Sequence, residues 1–150
     1  MAPAGAESGA RNAELTYQLV QWAHRDGSGI AFDSSTGFTF PDGAMRAPDM
    51  SWIRAERWST LSIRDRRKFP RICPDFVAEL RSPSDTLAAL QAKLQEYLDN
   101  GARLGWLLDP EHRTAHVYRP GQAIEILVDA QALSGAPVLP GFSLNLGPIW

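Results

Sequence analysis

The sequence predicts an α+β domain in which a mixed β-sheet is flanked by helices. Three observations carry this. Apolar residues recur at helical spacing over 12–26 and again over 86–100, short β-prone runs follow each of these segments, and the resulting order is helix, strands, helix, strands. A chain of 150 residues, 44% hydrophobic and 21% charged, can bury roughly 68–70% of its unfolded surface, so it forms one core without staples.

The first helix, Asn12 to Asp26, places Leu15, Leu19, Trp22 and Ala23 on one face, and Gly27 supplies its stop. Residues 1–11, MAPAGAESGAR, are small and polar and read as a loose tail, neither signal peptide nor membrane span. From Ile30 to Arg54 short β-prone runs alternate with Gly, Pro and Asp turn signals. That pattern is a small meander whose last strand carries Asp49 through Ile53. Phe76 to Arg81 is a strand, with Val77, Glu79 and Arg81 on one side and Phe76, Ala78 and Leu80 on the other. A turn and cap at Ser82–Asp85 lead into the second helix, Thr86 to Asn100, which buries Leu87, Leu90, Leu94, Tyr97 and Leu98 and ends at Gly101. LGWLLD, TAHVYR and AIEILV then form a strand and a hairpin, with Pro120-Gly121 as the turn.

The net charge of −2 means that the field of the whole chain does not draw it to a polyanion, so a nucleic-acid partner requires a local patch. One such patch exists. Arg54, Arg57, Arg64, Arg66, Arg67, Lys68 and Arg71 fall within eighteen residues, beside Trp58, an aromatic available for base stacking. The plainer reading of the same stretch is a solvated loop and short helix. A single cysteine, Cys73, makes no intramolecular disulfide and fits a reducing, cytoplasmic compartment. It reads as a small buried hydrophobe. His112 and His116 have zinc-helix spacing but lie at a turn entering a strand, and the Glu of a HExxH helix is missing. Esterase-elbow, phosphate-loop and dinucleotide fingerprints are absent as well.

The chemistry-bearing set is Asp49, Glu79 and Lys93. Two carboxylates on neighbouring strands can hold Mg²⁺ or Mn²⁺, hard cations that prefer oxygen, and a lysine on the next helix can steady negative charge growing on a phosphoryl group. Lys93 borders the apolar face of its helix, so its stem can be covered while its ammonium reaches over the sheet. Spacing alone also permits a salt-bridged pair at a sheet edge.

The strings FDSSTGF, APDMSWI, PDFVAELRSPSD, KLQEYLDNG, GWLLDP, VYRPG and LSGAPVLPGF, in this order, resemble the Uma-type "putative restriction endonuclease" family over nearly all of residues 12–150. The resemblance implies a restriction-endonuclease-like fold of the PD-(D/E)XK type. It also implies a metal-dependent endonuclease acting on DNA, with Asp49 and Glu79 as metal-binding and catalytic acids and Lys93 as a lysine migrated onto the following helix. Arg81 stands where wider members of the fold place that lysine, and its fork suits a phosphate better than proton exchange. Arg54, Arg57, Arg64, Arg66, Arg67, Lys68 and Arg81 are then the DNA-gripping set.

Family members usually begin with a further helix and hairpin carrying a Glu near the site. Residues 1–15 resemble the loop after that portion, so the expected domain, 12–150, lacks it. Glu14 is either its substitute or a solvated helix residue. A missing edge element favours self-association, hence a homodimer. The rival function is a catalytically degenerate nucleic-acid-binding or dimerisation module of the same fold. A third is a structural partner for an acidic protein surface.

Overall fold

The computed structural model describes residues 3–150. Helix α1 spans Ala6–Asp26 and ends at Gly27, whose φ of 75° is left-handed backbone that glycine adopts without strain, its N–H bonding Ala23 O at 2.9 Å. The helix thus begins earlier than its apolar periodicity indicates. Residues 6–11, read as tail, are helical and Ser8 is buried; the start of that tail, residues 1 and 2, lies outside the described residues. Small residues carry no apolar signal, so periodicity could not register this turn.

A six-stranded sheet has the order β1-β4-β5-β6-β7-β8, formed by β1 (Gly29–Phe32), β4 (Met50–Arg54), β5 (Phe76–Leu80), β6 (Leu104–Asp109), β7 (Thr114–Tyr118) and β8 (Glu125–Val128). β5 and β6 are parallel and joined by α4 (Leu87–Asp99); the other pairings are antiparallel, giving the expected mixed sheet. The meander is only partly as read. Its ends, β1 and β4, join the main sheet, while β2 (Phe38–Thr39) and β3 (Met45–Arg46) form a separate hairpin. The basic stretch holds two single-turn helices, α2 (Ala55–Trp58) and α3 (Ile63–Arg66). A last pair, β9 (Ala132–Ser134) with β10 (Ser143–Asn145), lies in a segment for which periodicity offered no strand.

Each face of the sheet is covered. Leu15, Leu19 and Trp22 of α1 pack with Trp52, Phe76, Ala78, Trp106 and the C-terminal Phe142 and Leu144. On the other face Leu90, Leu94 and Tyr97 of α4 pack with Val77, Leu107 and Phe38. Strand β5 is buried throughout, as a parallel-sheet strand covered on both sides must be. Its alternation puts Glu79 on the α4 face, in line with Val77, where an apolar side chain would ordinarily sit. Edge strand β8 leaves Ile126 and Val128 exposed. Among the described residues no helix is long and apolar enough to cross a membrane.

Candidate metal and phosphate site

The site is made where β4 begins and β5 ends. Asp49 directly precedes Met50, the first residue of β4, which pairs with Ala78, and Glu79 follows Ala78 in β5, so the two acids lie at the same end of adjacent strands. Asp49 Oδ2 accepts the Leu80 N–H at 2.7 Å, which locks its carboxyl group over the strand end. Helix α4 closes the site from above. Its N-cap, Thr86, accepts the Ala89 N–H at 3.2 Å, and its axis brings Lys93 and Tyr97, one turn apart, onto a single atom. Lys93 Nζ lies 3.2 Å from Glu79 Oε1, and the Tyr97 hydroxyl donates to that same oxygen. Gly101, at φ 115°, lets the chain leave the helix for β6.

Burial dominates the electrostatics. Glu79 is 3% exposed, and desolvation, reinforced by the charge of Asp49, pushes its pKa up to about 8 despite Lys93 and Tyr97. Asp49 is raised too, first by burial, against the opposing pull of the Leu80 N–H and of a hydrogen bond with Glu79. Burial of both groups and the charge of Asp49 on Glu79 favour keeping a proton on the pair. Lys93, about one third exposed, compensates only part of their charge.

A cavity of about 190 Å³ opens here, lined by Asp49, Glu79, Lys93, Ser82 and Asp85 and, from α1, by Ser8 and Asn12. Its polar donors other than Lys93 and the carboxamide nitrogen are oxygens, the donor set of Mg²⁺ or Mn²⁺ and unlike the sulfur and imidazole sets of zinc. The residues therefore fit a hard divalent cation, with Asp49 and Glu79 as its anionic ligands.

The other residues singled out from sequence fall elsewhere. Arg81 does not enter the cavity: its Nη1 is 2.8 Å from Asp109 Oδ2, and His112 Nδ1 is 2.9 Å from the same oxygen. Asp109, Glu111 and His112 bring their ligand atoms within 4.8 Å of one another, a grouping that sequence reading missed by testing His112 against His116 alone. Arg81 already occupies the place of the cation there. Asp109 sits below the usual carboxylate range because His112 and Arg81 outweigh its burial. His116 is buried between Leu107 and Ile126, and burial lowers its pKa.

Arg54 and Arg57 leave β4 at the end opposite Asp49. There Arg57 pairs with buried Asp75 at 2.9 Å, Asp75 accepts the Arg54 N–H at 2.9 Å, and Arg54 lies 3.6 Å from Glu56. Arg66 lies over the Trp58 ring, 5.3 Å from its centroid, and Phe32 packs against it at 5.4 Å, so this indole is engaged within the fold. Arg64, Arg67, Lys68 and Arg71 are exposed, and no residue of 54–71 lines the cavity. Glu14 accepts from Gln18 on its own helix at 3.0 Å and is not a substitute acid. Cys73 is buried, and desolvation pushes its thiol up to about 12, which leaves it inert. Tyr97 was legible only as core. Its spacing of four from Lys93 is the signal that links it to the site.

With this geometry in hand, the comparisons with known proteins are specific. A family model described as "Putative restriction endonuclease", Uma2, matches residues 1–147. The chain is similar to a crystal structure of a putative nuclease belonging to DUF820 from Anabaena variabilis, at 25% identity and a TM-score of 0.76, over 93% of this chain and 76% of that one. It also aligns with the DrdV–DNA complex at 15% identity and a TM-score of 0.47, over 77% of this chain and 9% of that one. No curated protein matches the sequence.

Proposed function

The chain belongs to the Uma2 restriction-endonuclease family, and we propose that it is a metal-dependent endonuclease hydrolysing DNA phosphodiester bonds. The observation that carries this reading is that Asp49 and Glu79 line one oxygen-rich cavity together with Lys93, whose Nζ lies 3.2 Å from Glu79 Oε1. A divalent cation, Mg²⁺ or Mn²⁺, would supply Lewis-acid polarisation of a phosphoryl oxygen and a more acidic bound water.

The chain's own residues do the rest. Asp49, anchored by the Leu80 N–H, and Glu79, anchored by Tyr97, present their remaining oxygens without a search through rotamers. With Glu79 ligating such a cation, the Lys93 ammonium, 3.2 Å from Glu79 Oε1, would be free to donate to negative charge on a phosphoryl oxygen. Exposed Arg64, Arg67, Lys68 and Arg71 are the part of the basic stretch free to track a backbone, at a distance from the chemistry. Arg54, Arg57, Arg66 and Arg81 serve the fold first. A cytoplasmic, dimeric protein belongs to the same reading, and the unpaired backbone of edge strand β8 is available for self-pairing.

The deciding experiment is cleavage of plasmid and single-stranded DNA with Mg²⁺ or Mn²⁺, beside Glu79→Ala and Lys93→Ala proteins shown to be folded. Cutting by the parent and not by the variants is expected. A silent parent that binds DNA with a steep salt dependence would establish the degenerate binding module instead.

A further inference from the structure

We propose that Asn12, in the second turn of α1, is a third oxygen ligand of the divalent-cation site that Asp49 and Glu79 form. The proposal rests on reading that pair as a cation site. Its own basis is separate. Asn12 Oδ1 is fully buried and has no hydrogen-bond partner among the described residues, and Asn12 lines the same cavity as both carboxylates. Buried carbonyl oxygens are nearly always satisfied, so one left open in a cavity that two acids also line calls for a partner. Ser8, one turn earlier on the same helix face, is only 6% exposed and lines the cavity too. Together they make α1 the third wall of the site, alongside the β4–β5 ends and α4.

A carboxamide is the suitable ligand here. Asp49 and Glu79 already line this cavity, and a third carboxylate would add repulsion before any cation arrived. A neutral oxygen ligates Mg²⁺, Mn²⁺ or Ca²⁺ and adds no charge. Asn12 and Asp49 belong to different elements, thirty-seven positions apart, so a cation bound by both would tie the first turns of α1 to the sheet.

The test uses the full chain stripped with a chelator and titrated with Mn²⁺ by calorimetry at pH 8. Parent, Asn12→Ala, Asn12→Asp and Glu79→Gln proteins are compared, with melting curves in chelator to show that each is folded. Hydrogen exchange over residues 6–12 is measured with and without the metal. Glu79→Gln is expected to abolish binding. Asn12→Ala is expected to weaken it about 10- to 100-fold and to remove metal-induced protection of α1. Asn12→Asp is expected to tighten it. Should Asn12→Ala and Asn12→Asp both bind within twofold of the parent while Glu79→Gln does not bind, the open oxygen holds only a water, and the inference falls while the cation site stands. Should the parent itself bind no Mn²⁺, the cation reading falls and takes Asn12 with it. If Asn12→Ala fails to fold, the affinity of Asn12→Asp alone decides.

Discussion

Two buried acid centres lie on the neighbouring strands β5 and β6, and they are opposites. At the end of β6, Asp109 receives Arg81 and His112 on one oxygen and the Glu111 N–H at 3.1 Å on the other. Its charge is met and its pKa lies low. At the end of β5, Glu79 and Asp49 face each other with one half-covered lysine, and both sit high. Burial is common to the two places; compensation separates them. A buried carboxylate that the protein itself has paired is a structural brace, and a buried pair left short of positive charge is the feature on which the proposed cation site rests.

The largest effect that would break this comparison is loss of the anionic ligand. Glu79→Gln keeps the shape and the acceptor for Tyr97, so the protein stays folded while metal-dependent cleavage falls by on the order of 10³-fold, read in a plasmid-nicking assay. Lys93→Met keeps the stem packing and removes the ammonium. About a 100-fold fall in kcat is expected, with Mn²⁺ affinity little changed. At the braced centre the balance reverses. Asp109→Asn removes the charge that meets Arg81 at 2.8 Å, leaving it Glu111 at 4.0 Å, and lowers unfolding stability by about 2 kcal/mol, a value discounted for the part-exposure of Arg81. Denaturant melts should show that loss while the folded variant still cuts; a loss of cleavage with stability intact would mean the two centres are one site.

The pH response sharpens the contrast further. Between the ordinary Glu value of 4.5 and about 8, folded Glu79 keeps a proton that the unfolded chain has released. The stability of the metal-free protein therefore falls as pH rises through that window, and Glu79→Gln flattens the slope. Melting temperatures from pH 5 to 8.5 check the sign. The smallest effect belongs to Tyr97→Phe. Losing one hydrogen bond to Glu79 should cost about 1 kcal/mol and move the onset of metal binding to higher pH.

Much of the fold was legible because its causes are local. Leu15, Leu19 and Trp22 repeat with the helical period, Gly27 and Gly101 stop helices where left-handed backbone is needed, and β5 reads as a strand from its own composition. Asp49, Glu79 and Lys93 were picked out by their order of acid, acid and lysine, which spacing alone left open and the family resemblance made specific. The chain order of strands also forecast a mixed sheet.

What the residues could not reveal by themselves depended on distance through space. Whether a charge is spent is decided by its neighbours. Asp109, from a strand twenty-eight positions on, occupies Arg81, and Asp75 occupies Arg57 at the wrong end of β4 for the chemistry, so two members of the basic set became braces. The small residues of 6–11 gave no period, yet tertiary packing makes them helix and brings Ser8 and Asn12 to the carboxylates. Sequence determined which side chains carry charge and where the strongly periodic segments form helix or strand, because both follow from near neighbours and alternation. Only the folded sheet decided which of those charges are compensated and which are left open, because desolvation and pairing act between residues that the chain keeps far apart.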